Sequence, residues 1–236
     1  IIEECLIGEE LSVIALSDGR TVIPLQPCRD HKRRFDQNKG PNTGGMGAIC
    51  PPDSLSHTVL DEITQVLKRA VEGMNQEGRP FVGALYAGLM LHSDGAFSVL
   101  EFNARFGDPE TQVLMMSLDE DWLPLLYQTA TGTLIERRLK WKAKSCCAVV
   151  LAAKEYPYSS SKNIEIKGIP RQAPERKIFF SGVHQQNGRL YTNGGRVLTI
   201  CAQEETLQKA IDACYKAIEL IECDDLDYRR DIGLCS

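Results

Sequence analysis

The sequence lacks a hydrophobic run long enough to cross a bilayer, since its longest apolar stretches are ALYAGLML (84–91) and CCAVVLAA (146–153). It also lacks the spacing of a metal site or a disulfide framework, because most of its nine cysteines are scattered singly among apolar residues. We therefore expect no membrane contact, buried free thiols and a reducing, cytoplasmic environment.

Positive charge is in short supply overall. The chain of 236 residues holds 27 lysines and arginines against 32 aspartates and glutamates, which gives a net charge of −5. This balance does not favour nucleic acid as a partner. The basic run RDHKRR (29–34) is a local feature on an acidic background. The length allows one large domain or two modest ones, each with a proper core.

Hydrophobic periodicity predicts an α+β protein. The earlier part of the chain combines short β-branched runs with one long amphipathic segment. The pattern predicts strands at 1–7, 11–16, 21–25, 83–91 and 97–103, a long loop at 26–52, and helices at 55–75 and 120–130. Asp108 followed by Pro109 predicts another helix start, with Asp108 as the N-cap.

A change of character near 132–144 predicts a domain boundary, because this stretch is charged and has no pattern. We place the first domain at 1–138 and the second at 139–236. The second domain has short strands and one terminal amphipathic helix, which is typical of a small α+β domain.

The segment VLEFNARFGDPETQ (99–112) carries candidate ligand residues. Strand alternation places Glu101 and Asn103 on one face. A carboxylate with an amide oxygen suits Mg²⁺, which takes one or two protein ligands and completes its shell with water and phosphate. The alternative is an ion pair for Glu101 and a turn contact for Asn103, since E-x-N alone is a common pattern.

The residues that follow this strand favour a phosphoryl-transfer site. Arg105 can fork onto a phosphate or a carboxylate, and Gly107 permits close approach of the backbone. The helix expected to begin at Asp108 adds amide donors, although Asp108 as the cap could occupy some of them.

The stretch GPNTGGMGA (40–48) is rich in glycine and has few side chains that can pack. Such a loop exposes backbone N–H groups, and Asn42 and Thr43 add side-chain donors, so it can wrap an anionic or polar ligand. Nearby charge is available from Asp30, His31, Lys32 and Arg33. The alternative is a mobile surface loop beside a solvated charge run. It is not a Walker loop, because no GK[ST] follows.

The stretch EECLIGEE (3–10) offers a third element. It is either a hinge or a charged β-hairpin. As a hinge, the backbone of Glu4, Cys5 and Leu6 would pair with an adenine edge, and Glu10 would reach a ribose hydroxyl.

Taken in order, EECLIGEE, GPNTGGMGA and RFGDPETQ (105–112) resemble the glycinamide ribonucleotide synthetase family, and RFGDPETQ matches its signature octapeptide. TNGGRVL (192–198) and YRRDIG (228–233) look like the C-terminal domain of that family. The resemblance spans essentially the whole chain but only about the last half of a complete enzyme.

The resemblance implies the second half of an ATP-grasp domain, an antiparallel sheet with helices, followed by a small α+β C-terminal domain. It implies ATP as cofactor, with glycine and 5-phosphoribosylamine as substrates. In that family ATP phosphorylates the glycine carboxylate to an acyl phosphate. The amine of 5-phosphoribosylamine then displaces phosphate, which gives glycinamide ribonucleotide and ADP.

The resemblance also implies roles for residues. Mg²⁺ or Mn²⁺ would sit on Glu101 and Asn103, with Leu89 standing where many ATP-grasp enzymes carry a further glutamate. Arg105 and Asp108 would be catalytic and hold the ribonucleotide or glycine. The C-terminal domain would help to shape the acceptor site. Glu4, Cys5, Leu6 and Glu10 would bind adenosine, and Arg105 would bind substrate together with Asp30, Lys32, Pro41, Asn42, Thr43, Gly44, Gly45 and Met46, in a loop that closes over the acceptor and excludes water.

The family's N-terminal subdomains, including the first ATP-grasp half, have no counterpart in this sequence. We therefore expect these 236 residues alone to bind ATP weakly and not to ligate, with the missing subdomains as their partner. Two alternatives stay open: a non-catalytic module derived from the ATP-grasp fold, and an ATP-grasp ligase or carboxylase with another acceptor.

Overall fold

The computed structural model describes residue 2, residues 4–52 and residues 55–234. Backbone contacts divide the chain into two units. The first unit comprises residues 1–29, 51–107 and 118–142, and the second comprises residues 30–50, 108–117 and 143–236. The second unit thus includes two segments, 30–50 and 108–117, that come from the earlier part of the chain, so one boundary in the sequence cannot describe the division. The domain boundary at 138/139 stays a prediction.

The elements follow one another in an α+β order. They are β1 Glu9–Asp18, β2 Val22–Pro24, β3 Arg29–Asp30, β4 Arg33–Phe35, β5 Lys39–Asn42, β6 Gly47–Cys50, α1 His57–Gln76, β7 Val82–Leu91, β8 Phe97–Asn103, α2 Glu110–Ser117, α3 Trp122–Thr131, β9 Ser145–Ala153, β10 Ser161–Ile166, β11 Arg176–Phe180, β12 Val183–Gln186, β13 Arg189–Gly194, β14 Arg196–Glu204, α4 Leu207–Ile218 and β15 Leu226–Asp227.

The first unit is built on an antiparallel four-stranded sheet in the order β2-β1-β7-β8. Helix α1 supplies the other half of its core. The cluster contains Leu11, Val13, Ala15, Val22, Leu85, Ala87 and Leu89 from the strands and Ile63, Leu67 and Val71 from α1. Since side chains alternate along a strand, the even-numbered residues around Ser12 and Gly88 occupy the opposite face of the sheet.

The second unit contains a six-stranded sheet with the path β11-β14-β9-β6-β3, in which β15 also pairs with β9. A smaller sheet has the order β10-β13-β12, and β4 pairs with β5. Helix α4 packs on β9 and β14, and its buried Ala210, Ile211 and Cys214 belong to the core of this unit. Strand β6, which precedes α1 in sequence, therefore lies between β3 and the distant β9 in this sheet.

The elements with strong periodicity are confirmed: α1, α3, α4, β7 and β8 all form close to their predicted positions. The predicted strand at 1–7 is wrong over the described residues 2 and 4–7, which precede β1. The predicted loop at 26–52 is also wrong in part, since it contains the four short strands from β3 to β6.

The predicted cap of the second helix is wrong as well. Helix α2 begins at Glu110, and Asp108 and Pro109 form a turn before it. The expectation of free thiols is confirmed for every cysteine that the structure describes, and Cys5 is the exposed one. In the described part of the chain, no helix combines the length and apolar character that a membrane span needs.

Candidate functional site

Glu101 and Asn103 lie at the end of β8, which is an edge strand of the first unit. The Asn103 Nδ2 atom donates to Glu101 Oε1 at 3.0 Å, so the two side chains share a face, as the alternation predicts. Glu101 is exposed and Asn103 half-buried. Their remaining oxygens, Glu101 Oε2 and Asn103 Oδ1, have no hydrogen-bond partner among the described residues and are open to a cation.

The position across the sheet from this pair is occupied by Gly88 and Tyr86, which are the register partners of Glu101 and Asn103. A Cβ at Gly88 would lie only 3.3 Å from Glu101 Cγ, so the glycine makes room for the carboxylate chain. Leu89 belongs to the core cluster on the α1 side. The interpretation of Leu89 as a replaced metal ligand is therefore wrong, because its side chain lies on the opposite face.

Only two candidate oxygen ligands are thus brought together here. Within the described residues, no group of three or more histidine, cysteine, aspartate or glutamate side chains is arranged to hold a metal ion. An ion at Glu101 and Asn103 would need water and ligand oxygens to complete its shell. This is the usual situation of Mg²⁺ bound together with a phosphate substrate.

Glu10 lies in β1 opposite Met90, two residues from Ser12, which pairs with Gly88. By alternation Glu10 shares the sheet face of Glu101 and is half-buried. Glu4 and Cys5 are exposed and Leu6 is half-buried, in a stretch without strand pairing. The predicted hinge and the predicted metal pair therefore belong to the same unit, and Glu10 and Glu101 to one face of it.

Arg105 directly follows β8 and is exposed. Its Nη1 donates to the carbonyl of Phe106 at 2.9 Å. The described residues supply no other hydrogen bond to this guanidinium in the structure, so the remaining donors of the fork are available to an anionic ligand.

The glycine-rich loop lies in the second unit, and its backbone donors are already used. The amides of Thr43, Gly44, Gly45 and Met46 donate in order to Lys32 O, Tyr156 Oη, Thr43 Oγ1 and His31 O, at 2.8, 3.0, 3.1 and 2.8 Å. The expectation that this loop exposes free N–H groups is therefore wrong. The segment is an ordered wall, and Asn42 is its exposed polar side chain.

The glycines of the loop are needed for close packing. Gly45 has φ +113°, and a Cβ there would lie 2.6 Å from Pro109 Cδ and 2.8 Å from Asp30 Oδ1. A Cβ at Gly47 would lie 2.6 Å from the carbonyl oxygen of Ala148.

Met46 was predicted to contact substrate, but it is fully buried in the core, and its carbonyl accepts from Val150 at 2.9 Å. Met46 is therefore a packing residue.

The charged residues beside the loop have unequal exposure. Asp30 is buried against Gly45, and Lys32 is half-buried. His31 is buried as well, and its Nε2 accepts from the Gly233 amide at 3.2 Å. Arg33 is exposed and donates to the Gly40 carbonyl at 2.9 Å. The basic run is thus largely part of the fold and not a solvated charge cluster.

Asp108 does not cap α2 but pairs with Arg196, whose Nη1 lies 3.0 Å from Asp108 Oδ1. The same nitrogen donates to the carbonyls of Gly44 at 2.8 Å and Asp108 at 2.5 Å. Two predicted site segments, the loop and the turn at 108–109, are therefore joined within the second unit. The sequence marked TNGGRVL only as a motif, and nothing in it singled out Arg196.

Two buried arginines were also missed. The Arg34 Nε donates to the Tyr156 carbonyl at 2.9 Å, and its Nη2 lies 3.2 Å from Asp227 Oδ2. Arg229 binds both oxygens of Asp231 at 2.8 and 2.9 Å. Its Nη1 also reaches the carbonyl of Arg33 at 3.1 Å. Both arginines lie in motifs that the sequence marked, RDHKRR and YRRDIG, but they hold the backbone around the loop and face no solvent.

Two family models match the chain. The model described as phosphoribosylglycinamide synthetase, ATP-grasp (A) domain, matches residues 1–111, and the model of the C domain of the same synthetase matches residues 146–235. The two matches follow in the order expected for one enzyme and leave only 112–145 and the last residue uncovered.

Similar proteins carry related names. The chain is 41% identical to a phosphoribosylamine–glycine ligase of Rhizobium meliloti, over 99% of this chain and 55% of that protein. It is 44% identical to the trifunctional purine biosynthetic protein adenosine-3 of Bos taurus, over 99% of this chain and 23% of that protein.

A crystal structure of phosphoribosylamine–glycine ligase from Thermotoga maritima superposes with a TM-score of 0.89 at 37% identity, over 98% of this chain and 57% of that one. The chain thus spans about half the length of the single-enzyme relatives that it matches. A biotin carboxylase domain from Hydrogenobacter thermophilus has a TM-score of 0.69 at 14% identity, which shows the shared fold alone.

Proposed function

The chain belongs to the phosphoribosylglycinamide synthetase family, and we propose that the protein containing it is a phosphoribosylamine–glycine ligase. The reaction would join glycine to 5-phosphoribosylamine at the expense of ATP, through a glycyl phosphate, in purine biosynthesis. The activity of the whole protein is a proposal because this chain spans about half of the relatives named for it.

The observation that carries the proposal is the Glu101–Asn103 pair on the exposed edge strand β8. Two hard oxygen atoms without partners among the described residues fit Mg²⁺ or Mn²⁺. Such an ion would neutralise charge on the phosphate oxygens of ATP during transfer. The protein contributes a fixed spacing, since the Asn103 amide donates to the Glu101 carboxylate at 3.0 Å.

Other residues of the first unit would bind the anionic and nucleotide parts of the substrates. Arg105, with most of its donors available, would take a phosphate or carboxylate oxygen. The backbone of Glu4, Cys5 and Leu6 would pair with the adenine edge. The Glu10 carboxylate, on the Glu101 face of the sheet, would accept from a ribose hydroxyl.

The second unit would supply the acceptor site. The ordered loop from Pro41 to Gly45 would form a wall that keeps water from the labile acyl phosphate. Since its amides are used internally, direct contacts to glycine or phosphoribosylamine would come from side chains, namely Lys32, Asn42 and Asp108. Asp30 would act mainly by supporting Gly45, against which it packs.

The experiment that tests the metal pair uses the complete protein, assayed by ADP release with glycine and phosphoribosylamine. We expect E101Q combined with N103A to reduce turnover roughly 10²-fold or more, because metal charge stabilisation is worth several kcal/mol. The activity that remains should need more Mg²⁺. The matched control is E72Q, which removes an exposed carboxylate from α1. Unchanged turnover and Mg²⁺ dependence in the double variant would contradict the proposal.

A second experiment tests the need for the rest of the enzyme. The 236 residues alone should show no glycine-dependent ADP release, because an ATP site shared between subdomains is incomplete in one of them. Full turnover by this chain alone would contradict that expectation. An intact protein that hydrolyses ATP with another acceptor, and not with glycine, would contradict the assigned substrate.

A further inference from the structure

Arg196, the first residue of β14, contacts two segments that are far apart in the sequence. Its Nη1 donates to the carbonyls of Gly44 and Gly45 at 2.8 and 3.4 Å, and to the carbonyl of Asp108 at 2.5 Å. It also lies 3.0 Å from Asp108 Oδ1. One guanidinium nitrogen thus fixes the glycine-rich loop and the turn before α2 relative to each other.

Tyr156 completes this arrangement from a second direction. Its hydroxyl accepts the Gly44 amide at 3.0 Å, so both backbone polar groups of Gly44 are held by side chains. A Cβ at Gly44 would lie 3.2 Å from both the Tyr156 hydroxyl and Arg196 Cζ, so only a glycine fits between them without displacement.

The TNGGRVL motif explains how the two side chains reach the loop. A Cβ at Gly195 would lie 2.6 Å from Tyr156 Cδ2, so the absence of a side chain there lets the aromatic ring pack on the backbone. The next residue is Arg196, which places the guanidinium beside the hydroxyl. The motif therefore places the Tyr156 ring and the Arg196 guanidinium side by side against the loop.

We propose that Arg196 is a positioning residue for the acceptor site, assisted by Tyr156, and that it acts by setting the loop and Asp108 in one fixed geometry. The inference rests on the proposed function, in which the loop and Asp108 line that site. No contact between Arg196 and substrate is required. A displacement of about 1 Å in such a wall lowers turnover by up to roughly 10²-fold.

The partial exposure of Arg196 and Asp108 indicates that this pair positions the loop and is not required for folding. The Arg196 side chain is 23% exposed and that of Asp108 is 45% exposed, so removing the arginine leaves Asp108 in contact with water. Arg34 and Arg229 differ, because both are buried. An Arg196 variant should therefore stay folded while its loop loses order.

The first test measures amide hydrogen exchange of the loop peptide in the complete protein. We expect residues 43–46 to exchange at least about tenfold faster in R196A than in the wild type, with α4 and β9 unchanged. R196K should fall between the two, since the lysine ammonium keeps the charge but sits on a shorter, flexible stem and is not held where Nη1 lies. The control R189A removes an exposed arginine of β13 and should leave the loop unchanged. Wild-type exchange in R196A would overturn the inference.

The second test measures kinetics of the complete protein. R196A should change kcat, or KM for glycine or phosphoribosylamine, by about 10-fold to 100-fold, while KM for ATP changes less than about twofold. Y156F should show the same pattern more weakly. An R196A enzyme with wild-type constants, or with an equal change in KM for ATP, would overturn the positioning role. A wild type that does not ligate glycine would instead contradict the proposed function, and the exchange experiment would still decide whether Arg196 orders the loop.

Discussion

Strand β8 and the loop from Gly40 to Met46 both carry residues predicted to bind ligand, but their polar groups are used differently. At β8, Glu101 and Asn103 bond to each other and leave two oxygens open. In the loop, every amide from Thr43 to Met46 already has a partner. The open oxygen pair indicates a place where a ligand can complete the bonding. A loop whose amides are all hydrogen-bonded internally contributes through its shape and not through free donors.

This difference changes how a glycine-rich motif is interpreted. Glycine at 45 and 47 serves close packing, since a side chain would meet Pro109 or the Ala148 carbonyl. The free donors of a phosphate-binding loop are absent from the described amides of 43–46.

Replacing Arg229 should have the largest effect on stability. Its side chain is inaccessible and binds Asp231 through two nitrogens, so R229A removes the cation from a mostly buried carboxylate that keeps the hydrogen bond from the Gln37 amide. We expect the free energy of unfolding to fall by about 3–5 kcal/mol, measured by urea denaturation. R230A is the matched control, because the Arg230 side chain is 64% exposed and its removal should change stability by less than about 0.5 kcal/mol. Equal effects of R229A and R230A would show that burial of the Arg229–Asp231 pair does not contribute to stability.

Gly45 provides the next test, because it combines a positive φ with a lack of space. G45A should lower stability by about 1–3 kcal/mol. The control is G95A, where φ is +86° but no atom lies within 4 Å of the added Cβ. It isolates backbone strain from the clash. If G45A costs no more than G95A, the loop is free to shift and is not a rigid wall.

A pH test probes Glu120, a hydrogen-bonded carboxylate of the first unit away from β8. Hydrogen bonds from the Arg137 guanidinium and from the Lys140 amide lower the pKa of Glu120 from 4.5 to about 2. A carboxyl with a lowered folded-state pKa stabilises the protein above its unfolded pKa. This stabilisation is lost as the pH falls from about 4.5 towards 2.

The measurement compares the free energies of unfolding of the wild type and E120Q across that range. The advantage of the wild type should shrink steadily from about pH 5 to pH 3. A constant difference would mean that Glu120 does not titrate as its contacts indicate. E136Q serves as control, since the Glu136 side chain is 70% exposed beside Lys68 and its ion pair is weakly stabilising.

Secondary structure was predicted best in segments where a single helical or strand period dominates the hydrophobic pattern. The stripe of α1 and the alternation of β7 and β8 needed only local information, and the shared face of Glu101 and Asn103 followed from that alternation. Residues 26–52 were read as a loop because proline, glycine and charge hide short strands. Strands β4 and β5 pair within the segment, but β6 also needs β9, about a hundred residues later, and local sequence cannot show that partner.

The use of the loop donors could not be predicted for the same reason. The acceptor of the Gly44 amide is Tyr156, and the partner of Asp108 is Arg196, both remote in sequence. Asp108 followed by Pro109 has the local pattern of a helix start, but the arginine engages its carboxylate, and α2 begins two residues later. Motifs identify the candidate segments, while the tertiary partners determine what each polar group does.

The open strand gives the smallest expected change in stability. E101Q and N103A remove polar atoms that bond mainly to each other at the edge of the sheet, so each should alter the free energy of unfolding by less than about 0.5 kcal/mol. The same variants are expected to cost roughly 10²-fold or more in turnover together. Replacing a residue that serves binding should lower activity without lowering stability. Replacing a structural residue such as Arg229 should lower stability first. Urea denaturation beside the ADP assay measures both; substantial destabilisation by E101Q would make the pair a structural contact of β8 and remove the contrast with the loop.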